Sequence, residues 1–194
     1  LRLSKNKSYK VGDMMISAIY GIDNSILDFI SNNLHSLWLD KLMISLTDLG
    51  DGGIIWIAIA LGLIVSKKYR KSGFMLLMAI LLGALFGEMI IKNIVQRARP
   101  FTHVPGMELL IKKPNSYSFP SGHTTASFAA AGILSYCFRK YRVAFYLLAA
   151  LIAFSRLYLY VHYPSDVLGG IVLGSLSCLL TIYIFNKYIN KERI

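Results

Sequence analysis

Five apolar runs constrain this chain more than any other feature: Gly52 to Ser66, Gly73 to Val95, Phe119 to Phe138, Val143 to Val161, and Val167 to Asn186. A hydrocarbon core is crossed by about 20 apolar residues in a helix. Backbone surrounded by lipid must satisfy its own N–H and C=O groups, and a helix does this within one segment. The runs therefore predict an all-α integral membrane protein, a bundle of five or six transmembrane helices. The first run is short for a span, so its helix is expected to start upstream, near Thr47. A mean hydropathy of +0.53 agrees with lipid as the solvent. No linker, composition shift or internal repeat divides the chain. One membrane-embedded domain over residues 1–194 is expected, with an amphipathic N-terminal segment at 1–46 and a helix bundle at 47–186.

Ahead of the first run, Ile16, Ile19, Tyr20, Ile26, Leu27, Ile30, Leu34, Leu37 and Trp38 recur at helical spacing. Ser17, Asp23, Asp28, Ser31, Asn32 and His35 take the other side. This pattern predicts a helix lying at the membrane interface, and a sixth, weakly apolar span at Val11 to Phe29 stays open. Asp23 and Asp28 interrupt the stretch Met14 to Ile30 and it lacks a small-residue cleavage site, so it does not read as a cleaved signal.

Basic residues set the expected orientation. Lys67, Lys68, Arg70 and Lys71 close the first span, Arg139, Lys140 and Arg142 join the third to the fourth, and Lys187, Lys191 and Arg193 follow the fifth. Counting crossings places these clusters on one face, the cytoplasmic one by the positive-inside rule. The loop from Arg97 to Ser118 is basic as well, on the opposite face. A formal charge of +11 raises the possibility of nucleic acid, but no basic stripe interleaved with aromatics is present, and nucleic-acid binding is not expected. Cys137 and Cys178 lie inside apolar runs without metal-ligand or CxxC spacing and read as buried free thiols. Gly170 and Gly174 form a GxxxG, and Ala126, Ala129 and Ala130 a small patch, both suited to close helix packing.

Three short blocks at the edges of the runs carry the chemistry. Each charged side chain at the centre of a spanning helix costs about 2.5 to 3.5 kcal/mol, so a cluster of them marks a functional site. His162 and Asp166 are four apart, with Pro164 where a helix would begin. A carboxylate in that first turn can accept the Nδ1 proton, leave Nε2 as a lone pair, and stabilise the imidazolium formed when Nε2 attacks. Pro120, Ser121, Gly122 and His123 precede an Ala-rich helical run, so the amides of Ser121 to His123 would face an anion from a helix N-terminus, with His123 as a nearby acid. Lys92, Arg99 and Arg156 add three cations suited to a tetrahedral oxyanion. Glu88, four before Lys92, is placed to position it. No carboxylate cluster or HExxH offers a metal site, so no metal and no cofactor are expected. A nucleophile with its orienter, an acid and a cationic cradle together specify phosphoryl transfer.

Lys92-x6-Arg99-Pro100, Pro120-Ser121-Gly122-His123 and Ser155-Arg156-x5-His162-x3-Asp166 resemble the three signatures of the type-2 phosphatidic acid phosphatase superfamily, which also holds the vanadium haloperoxidases. The likeness covers roughly Thr47 to Asn186 and is complete at each signature position. It implies His162 as a nucleophile forming a phosphohistidine, Asp166 as its orienter, His123 as acid for the leaving group, and Lys92, Arg99, Ser121, Gly122 and Arg156 as phosphate ligands. The amphipathic, acid-containing N-terminus departs from the plain apolar span with which many bacterial members begin.

A site at the outer ends of membrane helices suits a lipid whose phosphate rests at headgroup level. Met107 to Lys113, apolar then basic, suits contact with both tails and phosphates. The resemblance implies a membrane lipid phosphate as substrate, undecaprenyl diphosphate foremost, with phosphatidylglycerophosphate or phosphatidate as the alternative. It places the chain in a bacterial plasma membrane with the site on the extracytoplasmic side. A lipid-phosphate binding or transport protein is the reading of another class, and an oriented imidazole argues against it. Haloperoxidase-like oxidation on bound vanadate needs a soluble shell that five apolar runs do not supply.

Overall fold

The structure, a computed structural model, describes residues 2–189 and is mostly helical, with a long loop between His103 and Gly122 and without strands among the described residues. Lys191 and Arg193 of the C-terminal basic cluster lie outside the described residues. In chain order the α-helices are α1 (Arg2–Asn33), α2 (Leu37–Gly50), α3 (Ile54–Val65), α4 (Arg70–Ala84), α5 (Lys92–Val95), α6 (Gly122–Cys137), α7 (Arg142–Tyr158) and α8 (Pro164–Ile184).

Helix α6 is the axis of the bundle. Its Ala129, Ala130, Ala131, Ile133 and Leu134 are buried, and α4, α7 and α8 pack around it. The small residues do what their spacing predicts. A Cβ on Gly174 would stand 2.5 Å from the Thr125 carbonyl and 2.9 Å from the Ala129 amide nitrogen, and one on Gly170 would stand 2.8 Å from the Ser121 carbonyl. Only hydrogen at these positions lets α8 lie directly on α6, with dispersion taking the place of a hydrophobic drive that lipid removes. Trp56 on α3 is buried against the same axis and donates its indole N–H to Ser127 Oγ at 3.0 Å.

Among the described residues, four stretches are long and apolar enough to cross a membrane: Leu37–Val65, Arg70–His103, Arg139–Tyr158 and Pro164–Tyr188. The third apolar run, expected as a span, forms α6, a 16-residue helix outside these four stretches, with its buried face packed on α4, α7 and α8. The first span also differs from expectation. It begins at Leu37, not near Thr47, because Ser36 caps α2 by accepting the Leu39 N–H at 3.4 Å. It then bends between Gly50 and Ile54, where Gly52 (φ 55°) and Gly53 (φ 73°) take left-handed conformations that suit glycine.

The N-terminal pattern is not one continuous interfacial helix. It breaks between α1 and α2, and the buried face mixes the two sides: Asp23 of the polar side is buried with Leu27 and Ile30 of the apolar side, while Ser17, Asp28, Asn32 and His35 stay exposed. Ile16, Ile19, Ile22, Ile26 and Phe29 are exposed as well, as suits a lipid-facing surface. Asp23 turns inward because two partners wait for it there, Arg97 and Ser165.

Candidate active site

Chain reversal after α7 sets the position of His162. Tyr160 takes a left-handed φ of 57°, and the N–H groups of Val161 and His162 both donate back to the Arg156 carbonyl, at 3.2 and 3.3 Å. His162 thereby returns beside the last turn of α7, 1% exposed. Pro164 opens α8 and places Asp166 at its third position, where Oδ2 accepts the Tyr163 N–H at 2.8 Å as half of a capping box.

The same Oδ2 lies 3.5 Å from His162 Nδ1 and accepts the Ser118 hydroxyl at 2.5 Å. On the other edge of the ring, Nε2 is 3.1 Å from Arg99 Nη1. A guanidinium only donates, so Nε2 is the acceptor and the proton belongs on Nδ1, facing Asp166. Burial pushes the imidazole down to about 3, against the opposing pull of Asp166. The ring is neutral, with its lone pair on Nε2.

The cations arrive from three elements. A π-helical segment, Leu85–Ile91, leads into Lys92, a distortion frequent at functional sites. The Lys92 ammonium meets Glu88 at 2.7 Å, as the i,i+4 spacing anticipates, and Ser116 Oγ at 3.2 Å. Arg99 donates from Nε to the Ser116 carbonyl at 2.7 Å and from Nη1 to the Val161 carbonyl at 2.8 Å. These bonds hold the guanidinium plane against the loop and the nucleophile's strand of backbone. Arg156, buried, donates to Thr47 Oγ1 on α2.

At the start of α6, Gly122 passes so close to Glu88 that a Cβ would collide with its carboxylate. His123 follows, with Asp51 Oδ1 3.9 Å from its Nε2, beyond hydrogen-bond range. Among the described residues, His123 Nε2 and Arg156 Nε are buried polar atoms without a hydrogen-bond partner. Both residues line the same cavity. Unpartnered buried polar atoms are costly unless a ligand completes them, and these two suit a phosphoryl group.

That cavity, of about 590 Å³, is lined by Lys92, Arg99, Gly122, His123, Arg156 and His162. Asp166 is not on the wall and stands behind His162. Ser121 is not on the wall: fully buried, its hydroxyl accepts from Thr124 Oγ1 at 3.0 Å, and its N–H donates to the Asp166 carbonyl at 3.1 Å. Ile111, Lys112 and Lys113 reach the cavity's rim, where the apolar-then-basic segment was expected to meet lipid. No group of three or more His, Cys, Asp or Glu side chains suited to a metal ion occurs among the described residues.

Sequence reasoning missed Thr47, Ser116, Ser118 and Arg97. The three hydroxyls carry no signal of their own, being ordinary polar residues in a loop or on a helix. Arg97 was grouped with the basic loop, yet its Nη1 donates to Asp166 Oδ1 at 2.6 Å and its Nη2 to Asp23 Oδ2 at 2.7 Å.

Residues 72–190 match the model of the PAP2 superfamily. The chain belongs to that superfamily. It is 33% identical to an undecaprenyl-diphosphatase of Sulfolobus acidocaldarius over 75% of this chain and 70% of that one. It is 31% identical to phosphatidylglycerophosphatase B of Bacillus subtilis over 72% of this chain and 71% of that one. Among solved structures it resembles Aquifex aeolicus LpxE, with a TM-score of 0.72, 26% identity, and coverage of 84% of this chain and 95% of that one. It also resembles the transmembrane PAP2-type phosphatidylglycerolphosphate phosphatase of Bacillus subtilis, with a TM-score of 0.71, 26% identity, and 88% of both chains covered. This PAP2 protein is a membrane protein and a hydrolase of the lipid-phosphatase type.

Proposed function

We propose that the protein hydrolyses a membrane lipid diphosphate, undecaprenyl diphosphate foremost, through a phosphohistidine on His162. The observation that carries this reading is the convergence of His162, His123, Lys92, Arg99 and Arg156 on one cavity. His162 Nε2 attacks the terminal phosphorus in line as the bond to the leaving oxygen breaks, and that oxygen takes a proton from His123. Asp166 holds the Nδ1 proton and balances the charge that forms on the ring. Water then attacks the phosphohistidine, giving its proton to His123 and releasing phosphate and the free imidazole. Lys92, Arg99, Arg156 and the amides at the start of α6 hold the phosphoryl oxygens throughout, where preorganised cations stabilise a spread negative charge.

The lipid substrate is supported by lysines at a rim that also carries Ile111, and the diphosphate by the relative from Sulfolobus acidocaldarius. Phosphatidylglycerophosphate is the second reading, favoured by the Bacillus subtilis relative. An extracytoplasmic site in a multi-pass plasma-membrane protein is supported by the basic turns Lys67 to Lys71 and Arg139 to Arg142, which begin α4 and α7 while the cavity is lined from their far ends by Ala84 and Arg156. Phosphate release from the detergent-purified protein, measured on undecaprenyl diphosphate, phosphatidylglycerophosphate, phosphatidate and lipid monophosphates, tests the proposal. A kcat/KM highest on the diphosphate is expected. Equal or better turnover of phosphatidylglycerophosphate overturns the substrate, and no release from any of them overturns the reaction.

A further inference from the structure

Asp23 is a buried acid of α1, and it makes three close polar contacts. Its Oδ1 accepts the Ser165 backbone N–H at 2.9 Å. Its Oδ2 accepts the Ser165 hydroxyl at 2.5 Å and Arg97 Nη2 at 2.7 Å. Arg97 Nη1 in turn bonds both Ser165 Oγ, at 2.7 Å, and Asp166 Oδ1, at 2.6 Å. The guanidinium packs on the rings of Tyr20 and Tyr163, 4.6 and 4.0 Å from their centroids, the two rings themselves meeting edge to face. One cation thus bridges two carboxylates, fixed in plane by its hydrogen bonds and in depth by two aromatic rings.

We propose that Asp23, acting through Arg97, is a positioning residue for the Asp166–His162 pair, so that α1 takes part in setting the nucleophile. Asp166 has one oxygen committed to Ser118, Tyr163 N–H and the His162 side, and the other to Arg97. The orientation of the carboxylate depends on both. If Arg97 faced Asp166 alone, its full charge would draw on the carboxylate that must balance the imidazolium. Asp23 shares that charge and pins the guanidinium. The inference rests on the reading of His162 and Asp166 as nucleophile and orienter.

The test compares kcat, KM and thermal unfolding temperature for the full chain in detergent, on p-nitrophenyl phosphate and on farnesyl diphosphate. The variants are Asp23→Asn, Asp23→Glu, Arg97→Gln, the double Asp23→Asn/Arg97→Gln, Asp28→Asn and His162→Ala. A displaced catalytic group costs up to about 100-fold. Asp23→Asn and Arg97→Gln are each expected to lower kcat about 10-fold or more with KM within about twofold. Asp23→Glu should recover most of the rate, and the double variant should lose no more than the worse single, because the residues act as one link. Asp28, on the same helix, bonds Tyr160 Oη at 3.2 Å and lies outside the link, so Asp28→Asn should keep the native kcat.

Native kcat in Asp23→Asn, multiplied losses in the double variant, or an equal loss in Asp28→Asn would each overturn the proposal. If Asp23→Asn does not fold, Arg97→Gln decides it from the other end, with native kcat there overturning the link. His162→Ala separates the two readings: activity in that variant removes the reading of the pair itself. Its inactivity beside a fully active Asp23→Asn removes only the link.

Discussion

His123→Ala isolates proton transfer from phosphoryl transfer. The side chain lines the cavity, and its Nε2 has no hydrogen-bond partner within the protein. Its removal gives up one hydrogen bond to the Thr47 backbone, which is the same for every substrate, so differences between substrates report on chemistry. A general acid contributes about 10² to 10⁴ in rate, which is about 2.7 to 5.5 kcal/mol of barrier. That full loss is expected on an alkyl monophosphate, whose alkoxide cannot leave unprotonated. An aryl phosphate departs without help, so its kcat should fall by less than about 10-fold. A lipid diphosphate, with phosphate as its leaving group, should fall between. His162→Ala removes the acceptor of the phosphoryl group and should abolish turnover on all three. The assay is the ratio of variant to native kcat on the three substrates at one pH. Equal losses for His123→Ala on all three would make it a phosphate ligand rather than an acid, and residual turnover of the aryl ester by His162→Ala would refute the nucleophile.

Four further outcomes are expected. Orthovanadate should inhibit by occupying the five-coordinate geometry of in-line transfer, and activity should survive chelators because Lys92, Arg99 and Arg156 supply the positive charge; loss of activity in EDTA that magnesium restores would refute this. In a background lacking Cys137 and Cys178, a cysteine at Asn115 should react with an impermeant maleimide added to whole cells while one at Lys68 should not, and the reverse would invert the orientation. Gly174→Ala pushes a methyl into the Thr125 carbonyl and the Ala129 amide, so the unfolding temperature in detergent should fall, by about 1 to 3 kcal/mol of overpacking; an unchanged temperature would mean that α8 and α6 separate freely. The unfolded chain protonates His162 near its ordinary 6.5 while the folded chain holds it at about 3, so stability present above 6.5 is lost as pH falls toward 3. That one proton contributes up to ~1.4 kcal/mol per pH unit, so His162→Gln should lose less stability than the native protein between pH 7 and 5, and parallel curves would show a charged His162.

Much of the site was legible in the chain because its parts are local. Pro164 starts a helix by its fixed φ and missing N–H, which places Asp166 within reach of Tyr163 N–H and His162 whatever the rest of the fold does. Glu88 and Lys92 share one face for the same reason, and Gly170 and Gly174 can mark only a close approach. Apolar length alone required helices, since lipid offers no partner to an unpaired backbone. The tertiary structure decided what those local rules cannot reach. Whether α6 meets lipid depends on its neighbours, not on its own composition. The inward turn of Asp23 follows from a guanidinium 74 residues away, and a polar stripe reads the same whether water or Arg97 satisfies it. Ser116 and Ser118 matter only because the loop folds them onto Lys92, Arg99 and Asp166. Periodicity records which side of a helix is polar, and only packing determines what that side meets.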